Sequence, residues 1–218
     1  MIILKKNETQ AVQTEDGKPI MDMSIGCTWS KINRAGKSKA AGLFGKLASM
    51  VGASEAVLED VDLDLSAFCY GESGNLIDRL YFGQKRIFGG AMLHSGDDRG
   101  GADEDTEMDN EILRFKGISI PFEVKTVVFV LNSYTHQMLD EIPNVNINFY
   151  DGLVTLGAKG DRFAEFNITT DKHFGGAEAC VLAKLVRTVK GWTIAPMGEP
   201  STARNLSTLE AEVRSKFL

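Results

Sequence analysis

Hydrophobic and polar residues alternate one by one along several stretches of this chain, and this period of two most constrains its fold. From Val61 to Tyr70 every odd-numbered residue is apolar. The stretches 21–29 and 144–152 alternate in the same way. Successive side chains of a β-strand point to opposite faces, so each stretch predicts a half-buried strand. In the first stretch Asp62 and Asp64 fall on the same face.

The remaining apolar segments extend this pattern. Residues 126–133 are typical of a fully buried strand, and 153–160, 162–169 and 192–197 indicate further strands. Segment 179–190 is ambiguous, because its alanines favour a helix while its valines suit a hairpin with the next strand. Short strands separated by Gly, Asp and Asn turns predict an all-β fold, a β-sandwich of two antiparallel sheets.

Two segments depart from the alternation. Within 39–53 apolar residues recur at helical spacing, which predicts a short inserted helix in a probable insertion, residues 33–57. Residues 201–218 predict a C-terminal helix, with a capping box from Ser207 to Glu210 at its start.

Composition bounds the location and the class of function. The length suits one domain, 1–218, and no apolar run approaches the roughly 20 residues of a membrane span. The N-terminus lacks a secretory signal pattern, and three cysteines and three histidines lack zinc or disulfide spacing, so we expect a cytoplasmic protein. A net charge of -6 without a basic, aromatic-interleaved patch argues against nucleic acid. No catalytic motif accompanies His94, so we expect no enzyme.

Negative charge is concentrated in one acidic loop, Asp97 to Glu111, which holds eight acidic residues and one arginine. Like charges about 4 Å apart repel by about 1 kcal/mol even in water, so the loop is expected to stay open until a cation neutralises it. Three interpretations remain: a solvated loop that binds nothing, a loop that meets a basic protein partner, and a cation site.

A calcium site agrees with the ligand types in this segment. Calcium takes oxygen ligands from carboxylates and carbonyls, and the loop glycines allow close bends. Asp62 and Asp64 stand about 6.6 Å apart on a strand and can lean toward a shared ion. The loop is not an EF-hand, because Met108 and Arg114 stand where glycine and glutamate are needed when counting from Asp103.

Two motifs resemble those of the TerD family of tellurium-resistance and stress proteins. VDLDLSAF at 61–68 resembles the family's strand motif, and HSGDDRGG at 94–101 followed by DNEIL at 109–113 resembles its acidic loop. The resemblance extends over about residues 1–198. It implies a β-sandwich whose acidic motifs bind calcium.

Carried over position by position, the resemblance implies calcium ligands at Asp62, Asp64, Asp97, Asp98, Asp109 and Glu111, with Gly101 as a backbone carbonyl. The centre of this loop is longer than the family pattern, which adds Asp103, Asp105 and Glu107 as candidates. The resemblance also implies a non-catalytic stress-response role in which calcium orders the loop for binding other proteins, including related stress proteins and a membrane-associated complex. The alternative is a metal-independent interaction scaffold whose acidic loop binds a basic protein partner.

Overall fold

The computed structural model describes residues 10–11, 21–34, 57–104, 106–168 and 172–218. Its strands are β1 (Gln10–Ala11), β2 (Asp22–Thr28), β3 (Ile32–Asn33), β4 (Leu58–Glu59), β5 (Leu63–Tyr70), β6 (Leu76–Leu80), β7 (Arg86–Ile87), β8 (Met92–His94), β9 (Glu111–Lys116), β10 (Thr126–Ser133), β11 (Asn146–Asp151), β12 (Asp161–Asn167), β13 (Ala179–Thr188) and β14 (Gly191–Ser201). One α-helix, α1 (Leu206–Phe217), ends the described part of the chain.

Two six-stranded sheets carry these strands. Sheet A has the order β12-β11-β2-β9-β8-β7 and sheet B the order β1-β14-β13-β10-β5-β6. Neighbouring strands within each sheet are antiparallel, which confirms the predicted all-β architecture. A separate short ladder of β3 and β4 pairs Ile32 with Glu59 and so joins the two ends of the probable insertion. The helix expected within 39–53 lies outside the described residues.

The apolar faces of the two sheets share one core. Leu63 and Leu65 of sheet B lie in the same buried cluster as Ile25, Phe115 and Phe149 of sheet A. The alternation seen in the sequence placed these side chains on the inner faces. Full burial of one such side chain contributes about 1.5–3 kcal/mol, so the core sets the register of β5 and β2.

The outer face of sheet B is covered at one end by α1. Phe68 and Tyr70 of β5 point away from the shared core and pack in a second buried cluster with Leu209 and Val213 of the helix. Both faces of the C-terminal half of β5 are therefore buried, whereas its N-terminal end lies beyond the helix. No helix in the described ranges is long and apolar enough to cross a membrane.

The helix begins two residues earlier than the capping box predicted. The side chain of Asn205 accepts a hydrogen bond from the Thr208 amide at 2.9 Å and is the N-cap. Asn and Ser are both good N-cap residues, so the sequence pattern could not choose between them. Glu210 and Arg214, one turn apart on the helix, form an ion pair at 2.9 Å.

Two further strand predictions had different outcomes. Most of the ambiguous segment 179–190 forms β13, which pairs with β14 as a hairpin. The strand predicted at 153–160 is wrong: the Ala158 amide donates to the Thr155 carbonyl in a turn, and Leu156 is 50% exposed. Gly157 has a φ of +78°, a left-handed conformation that a strand cannot contain.

Candidate metal centre

The pairing of β5 leaves its N-terminal end open to the acidic loop. β5 pairs along its whole length with β10, which places Asn132 opposite Asp64. On the other side, β6 pairs with β5 only from Ala67 onward. The Asn132 amide nitrogen donates to Asp64 Oδ2 at 3.1 Å, so the neighbouring strand fixes the orientation of this carboxylate.

The acidic loop brings Asp97 to the two strand aspartates. Asp62, Asp64 and Asp97 each offer a carboxylate oxygen, and these atoms lie within 4.8 Å of one another. We call these three residues the carboxylate cluster. It lines a pocket of about 110 Å³ whose other walls are Phe82, Arg99 and Tyr134. Asp62 and Asp64 are only 8% and 2% exposed, while Asp97 lies nearer to solvent.

Burial and mutual repulsion make the carboxylate cluster electrostatically unfavourable without a cation. Desolvation, followed by the nearby charge of Asp97, raises the pKa of Asp62 to about 6. Desolvation and the charge of Asp62 raise the pKa of Asp64 to about 7. Asp62 Oδ1 and Asn132 Oδ1 are buried and have no hydrogen-bond partner among the described residues. A buried unpaired acceptor costs about 1–3 kcal/mol, which ligation would recover.

These residues fit a calcium ion in spacing and in chemistry. Calcium binds oxygen at about 2.3–2.6 Å, so two oxygens on one ion are at most about 5 Å apart. The 4.8 Å limit of the carboxylate cluster meets this requirement. The oxygens come from carboxylates, the ligand type that hard cations prefer.

Glu111 lies behind the carboxylate cluster and holds the loop to the sheet. Its Oε2 accepts a hydrogen bond from the Leu65 amide at 2.9 Å, and its Oε1 accepts one from the Asp98 amide at 3.3 Å. Burial raises the pKa of Glu111 well above its usual range. Both oxygens are therefore engaged with backbone amides, and Glu111 positions the loop instead of joining the cluster.

His94 contacts the backbone carbonyl of Leu65, the residue whose amide donates to Glu111. The Gly96 amide donates to Nδ1 at 3.0 Å, so Nε2 carries the proton and donates to the Leu65 carbonyl at 3.1 Å. Burial lowers the pKa of His94 to about 4, and the ring is neutral at physiological pH. These contacts give His94 a structural role.

Asp98 folds back onto its own loop. Its Oδ1 accepts hydrogen bonds from the backbone amides of Gly100 and Gly101, both at 3.0 Å. Its Oδ2 accepts one from the side-chain NH₂ group of Asn110 at 3.0 Å. Burial opposes ionisation of Asp98, but these three donors outweigh it and lower its pKa. Gly101 has a φ of +78°, and a Cβ there would lie 2.7 Å from the Trp29 ring, so this turn requires glycine.

Asp109 points to a different part of the molecule, the outer face of sheet A. Its carboxylate accepts hydrogen bonds from Thr28, from Asn148 at 2.6 Å and from the Tyr150 hydroxyl at 2.7 Å. It lies directly on Gly26, where a Cβ would approach it to 2.2 Å. Burial raises the pKa of Asp109. The structure does not bring Asp109 to the carboxylate cluster.

Two candidates from the centre of the loop, Asp103 and Glu107, also lie apart from the cluster. Asp103 binds Lys31 at 2.8 Å, and Lys31 also binds Asp60 at 3.0 Å. Glu107 is exposed and borders a separate cavity of about 480 Å³ on the outer face of sheet A, next to Asp109. Asp105 lies outside the described residues.

The backbone of the acidic loop is tied to neighbouring segments. The Val61 amide donates to the Gly100 carbonyl at 2.9 Å, and the Lys31 amide donates to the Ala102 carbonyl at 2.8 Å. Backbone amides and the basic side chains of Lys31 and Arg99 offset part of the negative charge of the loop. The expectation that repulsion holds the loop open until a cation binds stays a prediction.

Two residues at the site were missed by sequence reasoning. Asn132 stands at the end of a segment interpreted as a buried apolar strand, and a polar residue at that end was the available signal. Arg99 was counted only as one positive charge in the loop. Its place in the wall of the pocket follows from the fold and has no local sequence signal.

Comparisons with known proteins found a matching family model and similar sequences. The family model described as the TerD domain matches residues 2–212. The chain is 23% identical over 218 residues to the tellurium resistance protein TerZ of Serratia marcescens, covering 100% of each. It is 26% identical over 219 residues to TerX of the same organism, covering 92% of this chain and 89% of TerX.

Solved structures show the same fold. A homologue of the telluride resistance protein TerD from Streptomyces coelicolor A3(2) matches with a TM-score of 0.64 at 14% identity, over 89% of this chain and 98% of that chain. A protein of unknown function matches with a TM-score of 0.60 at 15% identity, over 87% of this chain and 95% of that chain. At these identities the similarity is one of architecture.

Proposed function

The chain belongs to the TerD family, and on that premise we propose that it is a non-catalytic calcium-binding protein of the tellurium-resistance type. The observation that carries the proposal is the convergence of Asp64 from β5 and Asp62, which directly precedes β5, with Asp97 from the acidic loop. Calcium would supply two positive charges to a cluster in which the buried Oδ1 of Asp62 has no partner among the described residues.

Two other acidic residues of the loop support this site. Glu111 and Asp98 hold the backbone around Asp97 through hydrogen bonds to amides of β5 and of the loop itself. Asp97 is therefore presented to the strand aspartates on a fixed turn. Neutralisation of the cluster changes the charge of an exposed surface, and we propose that this surface binds another protein.

The names of the relatives supply the biological setting of the proposal. TerZ and TerX are tellurium resistance proteins. We place this chain in the same stress response, in the cytoplasm, with related stress proteins and a membrane-associated complex as its partners and with no role in binding nucleic acid. None of the described residues around the cluster has the arrangement of a nucleophile and base, so the proposal assigns no reaction.

Titration calorimetry tests the proposal directly. We expect saturable heat with calcium, much weaker binding of magnesium, and a rise in thermal stability that follows calcium concentration. The double variant Asp62→Asn, Asp64→Asn should lose this response. Glu104→Gln removes one charge from an exposed residue of the same loop and is the matched control, which should bind as the wild type does.

The competing function is a metal-independent scaffold for a basic protein. It is favoured by the contacts of Lys31 and Arg99, which show that carboxylates of this loop accept basic side chains directly. A scaffold of this kind predicts no saturable calcium heat and no gain in stability. That result would reject the calcium proposal.

A further inference from the structure

We propose that Arg99 is a built-in counter-ion of the candidate metal centre, with a guanidinium that occupies the mouth of the carboxylate cluster and gives way to a divalent cation. This inference rests on the proposed function. It adds that one side chain of the protein sets part of the affinity for calcium. The family resemblance does not assign the Arg99 side chain to the site.

The geometry places the guanidinium against the cluster. Arg99 Nε donates to Asp97 Oδ2 at 2.8 Å. The same side chain forms part of the wall of the pocket that Asp62 and Asp64 line. Among the residues that border this pocket, Arg99 is the basic one. The loop's other basic contact, Lys31, binds Asp60 and Asp103 instead.

Exposure makes this contact easy to release. The Arg99 side chain is 78% exposed, whereas Asp97 is 18% exposed. The guanidinium therefore lies on the solvent side of the carboxylates and can swing outward without disturbing the core. Exposed ion pairs are weak and are screened by salt, so the contact opposes a competing cation only modestly.

Charge decides which cations can compete. The guanidinium is permanently charged and is tethered two residues from Asp97, so it always remains near the cluster. A divalent ion carries twice the charge of the guanidinium. It can also enter among the buried carboxylates, where the attraction between opposite charges is stronger than at the surface. A free monovalent ion has no such advantage over the tethered charge. Arg99 thus lowers the affinity for calcium while it favours divalent over monovalent ions.

The test compares calcium affinity in Arg99→Gln with that in the wild type. We expect binding to tighten by about three- to tenfold at low salt, because the competing charge is gone, and this gain to shrink at high salt. Arg162→Gln is the matched control, since Arg162 is paired with Glu165 on β12, and it should leave the affinity unchanged. Unfolding curves of the variants establish that each is folded.

A second readout uses the metal-free protein. The chemical shift of the Arg99 side-chain NεH in NMR should differ between the metal-free wild type and Asp97→Asn, because Nε donates to the Asp97 carboxylate. Addition of calcium to the wild type should also change this chemical shift. An NεH chemical shift that is the same in the metal-free wild type and in Asp97→Asn would overturn the inference.

The outcomes separate this inference from the proposed function. Saturable calcium binding in the wild type with equal or weaker binding in Arg99→Gln would refute the counter-ion and leave the calcium site standing. Weaker binding would mean that Arg99 positions Asp97. Absence of calcium binding in both proteins rejects both proposals.

Discussion

The carboxylate of Glu111, on β9 of sheet A, accepts a hydrogen bond at 2.9 Å from the backbone amide of Leu65, on β5 of sheet B. One side chain thereby links the two sheets at the edge that β6 leaves open. Its other oxygen accepts the Asp98 amide, so the same residue fixes the start of the acidic loop. Glu111 is fully buried, which makes both contacts costly to lose.

Glu111→Gln should destabilise the protein by about 1–3 kcal/mol. A glutamine can accept one of the two amide hydrogen bonds, while its NH₂ group meets the other donor and leaves it unpaired. Urea unfolding measures the loss. The control is Glu104→Gln at an exposed position, which should change stability by less than about 0.5 kcal/mol. Equal stability of the Glu111 variant and the wild type would mean that the cross-sheet bond contributes nothing.

His94 should make stability depend on pH. Burial lowers the pKa of His94 in the folded protein to about 4. Among nearby charges, Lys85 lowers this pKa further and Asp97 raises it. The Glu111 carboxylate lies 3.5 Å from the ring. The unfolded chain protonates near the ordinary value of about 6.5, so this contribution is complete above that pH and is lost as pH falls toward 4.

The variant His94→Gln isolates this effect, because glutamine does not titrate. We expect the stability advantage of the wild type over His94→Gln to shrink by up to about 2 kcal/mol between pH 7.5 and pH 5. Urea unfolding at each pH gives the difference. An advantage that stays constant over this range contradicts a neutral buried imidazole.

Asn205→Ala should cost about 1 kcal/mol, because Asn205 is the N-cap of α1. Ser207→Ala is the matched control two residues later, and we expect less than about 0.5 kcal/mol there since Ser207 is exposed. Thermal unfolding distinguishes the two. The reverse order of effects would restore the capping box that the sequence pattern predicted.

Asp64→Asn and Asp109→Asn should separate calcium binding from folding. Asp64→Asn should weaken calcium binding at least tenfold, since Asp64 belongs to the carboxylate cluster. Asp109→Asn should lower stability by about 1–3 kcal/mol, because it replaces one of the two acceptor oxygens by an NH₂ group in a site where Thr28, the side-chain NH₂ of Asn148 and the Tyr150 hydroxyl all donate. Its calcium affinity should change by less than about threefold. Calorimetry and urea unfolding measure both, and a loss of calcium binding in Asp109→Asn would place this residue among the ligands, as the family resemblance implied.

The fold was predictable where one periodic signal decided the structure. The alternation in β5 placed Leu63 and Leu65 in the core and Asp62 with Asp64 on the other face, as observed. The segment 153–160 misled because its few apolar residues mimic a strand, while Gly157 adopts a left-handed turn. The choice between Asn205 and Ser207 as the helix cap depends on how α1 docks, which no local pattern contains.

The site was predictable only in part, because convergence depends on contacts between distant segments. Eight acidic residues of the loop carry the same charge in the sequence, and the fold alone separates Asp97 from Asp109. Asn132 reaches Asp64 through the pairing of β10 with β5, a contact 68 residues apart in sequence. Arg99 needs the same three-dimensional frame before its role can be inferred.

A crystal grown in calcium, with data that locate the ion by its anomalous scattering, shows which oxygens bind the ion. We predict one ion between the carboxylates of Asp62, Asp64 and Asp97, at about 2.3–2.6 Å from an oxygen of each, with Arg99 turned away. Carboxylates that point apart into solvent at saturating calcium, or an ion bound elsewhere on the loop, would refute the calcium proposal.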